Sequence, residues 1–172
     1  TGVVTIASGA LLKVSATGAV SNTSSISVTG SVEVDGTLTL NKFVGSGAVL
    51  IDGGTITKAS AGLVDLSTSS SAFTITHGGT LRAQSPAAAV SFGFGTVTAG
   101  QTNTLVLSTF STAYNGVISN FGAGDKIIIN GSTATGTITA NATGGDYTLT
   151  FGSTVLKHVT LAAGTSASDL QF

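Results

Sequence analysis

The stretch GSVEVDGTLTL, residues 30–40, decides the fold, because it holds two short strands and a turn. Polar and apolar residues alternate in SVEV (31–34) and again in TLTL (37–40). This period of two is typical of β-strands that bury one face. The Asp-Gly pair between the two runs favours a tight turn. The stretch therefore predicts a chain that changes direction after every few residues.

The same pattern recurs through most of the chain. Glycine followed by alternating Thr and aliphatic residues returns in GGTITKASAGLVDL (53–66), GGTLRA (78–83) and GTITA (136–140). The short runs are bounded by Gly, Asn, Asp or Ser, which favour turns. No window places apolar residues at i, i+3, i+4 and i+7 between helix caps, as an amphipathic helix requires. The sequence predicts an all-β protein.

Short strands and a weak repeat favour a parallel β-solenoid, or β-helix, over a sandwich or barrel. Sandwich strands are usually longer and recur roughly every 8–12 residues. The triplets TLT (37–39), TIT (55–57) and TIT (74–76) recur after 18 and 19 positions, which predicts coils of roughly 18–25 residues. In such a stack, each backbone group pairs with the coil above or below, aliphatic residues point inwards and glycines occupy the corners.

Residues 101–172 differ from residues 1–100. Segments lengthen after Gln101, and the runs 137–140 and 146–151 flank a glycine-containing turn that predicts an antiparallel hairpin. We expect 1–100 to form the β-solenoid coils, and 101–172 to form a C-terminal β-rich cap or sandwich-like end that closes the edge of the stack. Six aromatic residues gather in this second part: Phe110, Tyr114, Phe121, Tyr147, Phe151 and Phe172.

The composition excludes several classes of protein. Charged residues make up 8% of the 172 residues, and the net charge is -1, which favours neither nucleic acid nor an anionic membrane surface as a partner. No apolar run reaches the ~20 residues of a membrane-spanning helix, so we expect no membrane insertion. There is no Cys, hence no disulfide, which is compatible with an exported protein. The chain begins at Thr1 rather than Met, from which we expect a processed or excised form.

The stretch TLVLSTFSTAYNGVISNFGAGDKIIINGS (104–132) resembles a segment of secreted proteobacterial surface proteins of the autotransporter and haemagglutinin-like type. After a TLVL-like strand it carries the pattern Ile-x-x-Phe-x-x-Gly-Asp-x-Ile, formed by Ile118, Phe121, Gly124, Asp125 and Ile127. The upstream GSVEVDGTLTL and IDGGTIT are similar to the coils of their β-helix passengers. The resemblance implies an extracellular or cell-surface setting, a parallel β-helix and an adhesive or structural task, and it brings no catalytic residues. The GGxGxD nonapeptides of calcium-binding repeats are absent from the sequence.

Acidic residues are the first candidates for chemistry. Glu33 and Asp35 lie two apart on a strand and so share a face, where they could bind a cation or act as acid and base. A solvated face beside a turn is the interpretation we adopt. Pectate-lyase-like β-helix enzymes use several Asp residues for calcium together with a basic residue. Asp52 and Asp65 with Arg82 could stack on neighbouring coils in that way.

Other catalytic motifs are missing from the sequence. His77 and His158 have no metal-ligand partner at i+2 to i+4, so we interpret both as surface or turn residues. No G-x-S-x-G motif is present, and GFGTVTAG (93–100) lacks the Lys-Ser/Thr pair of a phosphate-binding loop. We predict no catalytic, cofactor-binding or metal-binding residues, and no cofactor.

Two surface patterns each have a specific functional interpretation and a simpler structural one. The Thr-x-Thr sets at 37/39, 55/57 and 74/76 could form a ladder of the ice-binding kind, but three interrupted rungs are few and Thr is a good strand residue. Tyr114, with Tyr147 behind it, is the best candidate for a carbohydrate platform. Packing within the C-terminal part explains both tyrosines more simply.

Together these features predict an extracellular or cell-surface structural or adhesive protein that is not an enzyme. We expect a β-solenoid stalk, an adhesin module or a self-assembling fibre or matrix subunit. Its expected partner is another copy of itself, joined through uncapped β edges into an oligomer or filament. A host or matrix polysaccharide is a further candidate partner. The alternative is a polysaccharide-binding or polysaccharide-cleaving β-helix module with Asp and Arg or Lys in a groove.

Overall fold

The computed structural model describes residues 2–110, 112–133, 136–141 and 144–169, and its regular structure is nearly all β-strand. The prediction of an all-β protein is confirmed. Within the described residues, no helix is long and apolar enough to cross a membrane. The strands β1–β17 are, in order, Val4–Ile6, Leu11–Val14, Ala19–Val28, Ser31–Val34, Thr37–Gly45, Ala48–Asp52, Thr55–Thr57, Val64–Asp65, Ala72–Thr76, Thr80–Gln84, Ser91–Phe94, Asn103–Ser108, Tyr114–Phe121, Asp125–Asn130, Gly136–Ala140, Asp146–Phe151 and Thr154–Leu161, with 3₁₀ helices at Ala59–Ala61 and Ala167–Asp169.

The strands form two sheets, and the winding chain passes repeatedly from one sheet to the other. Sheet A has the order β1-β3-β5-β7-β10-β12-β14, with β8 beside β5 and β10, and sheet B has the order β2-β4-β6-β9-β11-β13-β17-β16-β15. Neighbours are parallel through β14 in sheet A and from β2 to β17 in sheet B. The coils number about six, which confirms the predicted parallel β-solenoid. Up to β14, residues paired between successive coils are 17 positions apart at the least, as in Ile26 and Phe43, and 26 positions apart at the most, as in Phe92 and Ile118.

Glycines line the corner that precedes the strands of sheet A. A Cβ on Gly36 would lie 2.2 Å from the carbonyl oxygens of Ser15 and Gly18, and a Cβ on Gly54 would lie 2.3 Å from that of Val34. Successive backbones approach too closely here for any side chain. The recurring glycine is therefore required by contact between coils. The corner column consists of Gly18, Gly36, Gly54 and Gly79, each directly before a register-paired strand residue.

An inward column of aliphatic residues lies two positions after the corner, following glycine in three coils and Asn103 in the fourth. These residues pair from coil to coil and are 0% exposed: Leu38, Ile56, Leu81 and Leu105. The Thr between each glycine and its aliphatic residue points outwards. Glycine at the corner, Thr outside and an aliphatic residue inside explain why the sequence repeats this short pattern.

A row of aromatic rings runs along the core across successive coils. Consecutive ring centroids lie 5.3, 5.9, 5.8 and 6.4 Å apart, within the range in which aromatic pairs attract. Each ring from the second to the fourth therefore has aromatic neighbours on both sides. The row consists of Phe43, Phe73, Phe92, Tyr114 and Phe110.

The parallel pairing continues beyond residue 100, because β12 pairs with β10 and β14 pairs with β12 as far as Asn130. The predicted hairpin is confirmed: β15 and β16 are antiparallel, with Ala140 opposite Tyr147, and β16 is also antiparallel to β17. The division into domains 1–100 and 101–172 stays a prediction. Phe172 lies outside the described residues.

Candidate functional site

An ion-pair network crosses the strands of sheet B near their ends. Glu33, Asp35 and Asp52 each place one carboxylate oxygen within 4.8 Å of the others. Lys13, on β2, lies opposite Glu33 of β4 in the sheet register. Its Nζ is 2.5 Å from Glu33 Oε1 and 3.1 Å from Asp35 Oδ2. The prediction that these two acids share a face is confirmed.

Three carboxylates lie together in this network, with Lys13 on one side and His77 on the other. Hydrogen bonds to Glu33 first and Asp35 second raise the pKa of Lys13 above its ordinary value of 10.5. On the far side, His77 Nδ1 lies 2.5 Å from Asp52 Oδ1. A lysine ammonium thus occupies the place that a cation bound by Glu33 and Asp35 would take. Ion pairs at a surface contribute little stability. Lys13 is exposed, as expected of a solvated face, whereas the three acids are partly buried and Asp35 Oδ1 is buried without a hydrogen-bond partner among the described residues.

The predicted group of Asp52, Asp65 and Arg82 is not formed in the described part of the chain. Asp52 belongs to sheet B, whereas Asp65 on β8 and Arg82 on β10 belong to sheet A. Asp65 Oδ2 lies 3.5 Å from Lys42 Nζ, and Arg82 Nε donates a hydrogen bond of 2.7 Å to the Ala61 carbonyl. The acids and the arginine therefore face different partners.

Asp65 is held by its own turn. Burial alone would raise its pKa, but the backbone N–H of Ser67 and the Lys42 ammonium outweigh burial and hold the pKa below the ordinary value of 3.8. The Ser67 N–H donates a hydrogen bond of 2.9 Å to Asp65 Oδ1. Asp65 therefore stabilises the turn that follows β8.

Both histidines are surface residues, as expected. Each also pairs with an aspartate that the sequence did not suggest as its partner. His158 Nδ1 lies 3.1 Å from Asp146 Oδ2, across the antiparallel pair of β16 and β17. The spacing rule for metal ligands missed both pairs, because their partners come from neighbouring strands.

Tyr114 is a core residue. Its side chain is 4% exposed, and its hydroxyl donates a hydrogen bond to the Val90 carbonyl. Burial raises the pKa of this phenol above its ordinary value of 10.0. Tyr147 is partly buried and packs against the same core. The packing interpretation of both tyrosines is confirmed.

The Thr ladder differs from its predicted form. The sets at 37/39 and 55/57 stack in register on sheet A, but Thr74 and Thr76 lie on β9 of sheet B, so the expected third rung is wrong. An insertion that includes the turn Ala59–Ala61 lengthens this coil and moves the next Thr of the column to Thr80. Thr57 donates its hydroxyl to the Gly62 carbonyl across that turn.

The motif that carries the resemblance forms a corner between β13 and β14. Ile118 and Phe121 are 0% and 8% exposed, and Phe121 packs against Phe94 at 5.5 Å between centroids. Gly124 has φ +86, which glycine adopts readily. Asp125 Oδ2 accepts a hydrogen bond of 2.9 Å from the Gly122 N–H. Each of these residues has a structural task in the turn.

Asn103 links this corner to two earlier coils. It is 0% exposed, and its amide donates to Asp125 Oδ1 at 2.9 Å and to the Gly95 carbonyl at 3.2 Å. Its carbonyl accepts from the Gly78 N–H at 2.9 Å. Burial raises the pKa of Asp125 above 3.8, against the opposing hydrogen bonds from Asn103 and Gly122.

Sequence reasoning missed Asn103 and Lys13, although both left a signal. Asn103 directly precedes Thr104, so it occupies the corner column that Gly54 and Gly79 occupy in earlier coils. Lys13 lies 20 positions before Glu33, which is close to one coil. Aligning the sequence coil by coil would have revealed both residues.

The first coil exposes its edge, here called the N-terminal face: β1, β2 and residues 19–22 of β3. Within the described residues, β1 pairs only with β3, β2 pairs only with β4, and 19–22 pair only with β5. Each of these segments therefore presents backbone N–H and C=O groups along one unpaired side. Such an edge is a template for a further strand.

The core is partly uncovered at the N-terminal face, although Ile6 and Val14 are buried there. Val4 and Val20 occupy inward columns, opposite Ile26 and Leu38, yet they are 42% and 36% exposed. Leu11 on β2 is 58% exposed. Each segment of the face thus carries an exposed large apolar side chain.

The opposite end of the stack carries extra antiparallel strands, and within the described residues its edge strands are β14, which pairs only with β12, and β15, which pairs only with β16. The antiparallel strands β15, β16 and β17 continue sheet B beyond β13. Their inward residues Leu149, Leu156 and Val159 are 1%, 0% and 0% exposed. The core is therefore covered beneath these strands, while the predicted closing of the stack edge by 101–172 stays a prediction.

Comparison with known proteins adds no identification, since no family model, curated protein or solved structure matches the chain. The resemblance to autotransporter passengers stays a prediction.

Proposed function

We propose that this chain is a stiff structural module of an extracellular or cell-surface assembly, a stalk or matrix subunit that joins other chains through its N-terminal face. The parallel ladder supports stiffness, because each inner coil is hydrogen-bonded on both sides and shares continuous aliphatic and aromatic columns with its neighbours. An adhesive task is compatible with the same rod.

The ionisable side chains support a geometric rather than a catalytic role. Among the described residues, Lys13, Lys42, His77 and His158 each pair with a carboxylate at the surface. The polysaccharide-cleaving alternative needs free acids and a base in one groove. In the described part of the chain, Glu33, Asp35 and Asp52 lie together, but Lys13 and His77 are already paired with them. The extracellular setting comes from the resemblance to secreted surface proteins, and the lack of Cys is compatible with it.

The exposed core at the N-terminal face carries this proposal. A folded protein normally protects a sheet edge with charge, proline, a bulge or a covering segment. Here the edge strand β2 carries one charged residue, Lys13, and that residue is already paired with acids of the same chain. The face is therefore suited to receiving a strand from another chain.

Sedimentation velocity over a range of protein concentrations tests the association. We expect the chain of 172 residues to self-associate, and Leu11→Lys to weaken that association by about tenfold, because a charge on an edge opposes strand pairing. Val117→Lys is the matched control: Val117 is 47% exposed but lies on β13, which has neighbours on both sides. A monomer at every concentration, or equal loss in both variants, would contradict the proposal.

A further inference from the structure

We infer that two copies of this chain join their N-terminal faces head to head, in a two-fold symmetric dimer centred on β2. This inference rests on the proposed function. It adds that the partner is a second copy of the chain, that the two copies meet head to head, and that assembly stops at the dimer.

The shapes of the two ends favour this orientation. At the N-terminal face, sheets A and B both end within the first coil, at β1 and β2. At the other end, the strand path of sheet B is two strands longer than that of sheet A, a step of roughly 10 Å at the usual strand spacing. A level face fits a second level face better than it fits a stepped end.

The charges permit the same contact. From residue 2 to residue 32 the sequence has one charged residue, Lys13, and its ammonium is compensated by Glu33 and Asp35. Two N-terminal faces can therefore approach without uncompensated like charges. The exposed apolar side chains Val4 and Val20 become covered in both copies at once.

Symmetry sets the strand direction. A two-fold axis perpendicular both to the stack and to sheet B reverses β2, so β2 meets its copy antiparallel and uses the same residues on both sides. Outward residues must stay outward, because a slip of one position would exchange the two faces. One residue of β2 must then lie opposite its own copy.

Four such registers are available, one for each residue of β2, and one is favoured. Lys13 opposite Lys13 would place like charges side by side. Leu11 opposite Leu11, or Val14 opposite Val14, would pair only that residue of the two β2 strands. Leu12 opposite Leu12 avoids both problems, and it places Leu11 of each copy beside Lys13 of the other.

Disulfide trapping tests the orientation, since the chain has no Cys and each variant introduces one. Under mild oxidation, Leu12→Cys alone should form a covalent dimer. Leu11→Cys and Lys13→Cys should each stay uncrosslinked alone and should crosslink to one another when mixed. Leu11 and Lys13 are exposed, so this pair keeps the test valid if Leu12→Cys fails to fold.

Ser153→Cys, in the exposed turn between β16 and β17, reports on the other end. A crosslink between Ser153→Cys and Leu11→Cys or Leu12→Cys would show head-to-tail contact and overturn the inference. Association that depends on Leu11 but gives none of the expected crosslinks would overturn it while leaving the proposed function standing. A chain that stays monomeric would remove both.

Stoichiometry provides a second test. Head-to-head contact uses up the N-terminal face of both copies, so sedimentation should show monomer and dimer without larger species. Filaments in negative-stain images of the purified chain would contradict this closure.

Discussion

Gly54 and Gly145 show how the parallel coils differ from the antiparallel strands at the C-terminal end. A Cβ at Gly54 would lie 2.3 Å from the Val34 carbonyl oxygen, although the backbone there does not require glycine by its φ angle. Gly145 has φ +80, and a Cβ there would have no atom within 4 Å. The coil glycine is required by a neighbouring coil, and the hairpin glycine is required by its own turn.

This difference holds for other residue types as well. In the coils, a side chain is constrained by its equivalents in the coils before and after it. In strands β15–β17, the constraints come from turns and from the adjacent antiparallel strand. Substitutions matched between the two regions should therefore have unequal effects, and the following pairs measure the inequality from the largest expected effect to the smallest.

Phe73→Ala should give the largest effect. Phe73 is 1% exposed and lies between Phe43 and Phe92 in the aromatic row. Its removal leaves a cavity that the coils on both sides prevent from closing, so we expect the free energy of unfolding to fall by about 3–5 kcal/mol. Urea unfolding followed by circular dichroism measures the change.

Tyr147→Ala is the matched change in the C-terminal strands. Its partly exposed ring should cost about 1 kcal/mol, the typical value for a single substitution. Equal losses at Phe73 and Tyr147 would show that the two regions are packed to the same degree and would break the comparison.

Gly54→Ala should have the next largest effect. The new methyl group would meet backbone atoms of Val34 and Gly36 at 2.3 and 2.6 Å, and backbone cannot rotate away as a side chain can. We expect a loss of about 3 kcal/mol, the upper end of the usual cost of overpacking. Gly144→Ala, where a Cβ would meet nothing within 4 Å, should change stability by less than about 0.5 kcal/mol. Thermal unfolding of both variants decides the comparison, and a tolerated Gly54→Ala would contradict the close approach of the coils.

The fold could be predicted from the sequence because its repeat is local. Alternation in SVEV and TLTL requires only that one face of each strand is buried, and a glycine before each run marks the corner. The register between coils was harder to predict. The insertion between Thr55 and Thr80 changes the coil length, so a constant spacing placed Thr74 on the wrong sheet.

The candidate sites were predicted less well for the same reason. A site on a solenoid combines residues about one coil apart, and an error of a few positions separates true partners. Glu33 and Asp35 were paired correctly because they lie two positions apart, on β4 and directly after it, whereas Lys13 and His77 come from other coils. Exposed edges were expected in general, but only the strand pairing shows that β1, β2 and residues 19–22 of β3 form one of them.

Asn103→Ala should rank third. Asn103 satisfies the Gly78 N–H, the Gly95 carbonyl and Asp125 in a buried corner. Its loss would leave buried polar groups without partners, at a cost of about 1–3 kcal/mol. The matched residue in the C-terminal strands is Asn141, which also bridges several groups.

Asn141 donates to Asp146 Oδ2 at 3.0 Å and to the Lys157 carbonyl at 2.8 Å. It is only partly buried, so water can replace these partners and Asn141→Ala should cost about 1 kcal/mol or less. Hydrogen exchange at Gly78 should accelerate in Asn103→Ala and remain unchanged in Asn141→Ala. No acceleration at Gly78 would show that Asn103 does not hold the corner.

The smallest expected effect is on the pH dependence of stability, to which Asp125 and Asp146 should contribute with opposite signs. Burial raises the pKa of Asp125 above 3.8 despite its hydrogen bonds from Asn103 and Gly122. Its stabilising contribution is therefore complete below that value and is lost as the pH rises through the raised pKa. For Asp146, burial acts in the same direction but is outweighed by Asn141 and His158, so its pKa is lowered. Its contribution is present above 3.8 and is lost as the pH falls through the lowered pKa.

Melting temperatures of the wild type, Asp125→Asn and Asp146→Asn between about pH 2.5 and 5.5 separate these contributions, because the window brackets the ordinary pKa of Asp. On acidification, the wild type should gain stability relative to Asp125→Asn and lose stability relative to Asp146→Asn. The opposite slopes arise because the Asp125 corner buries a carboxylate among backbone groups of the coils, whereas Asp146 faces a histidine across an antiparallel pair. If the difference in melting temperature from the wild type changed with pH in the same direction for both variants, the two regions would shift the pKa of an aspartate in the same direction.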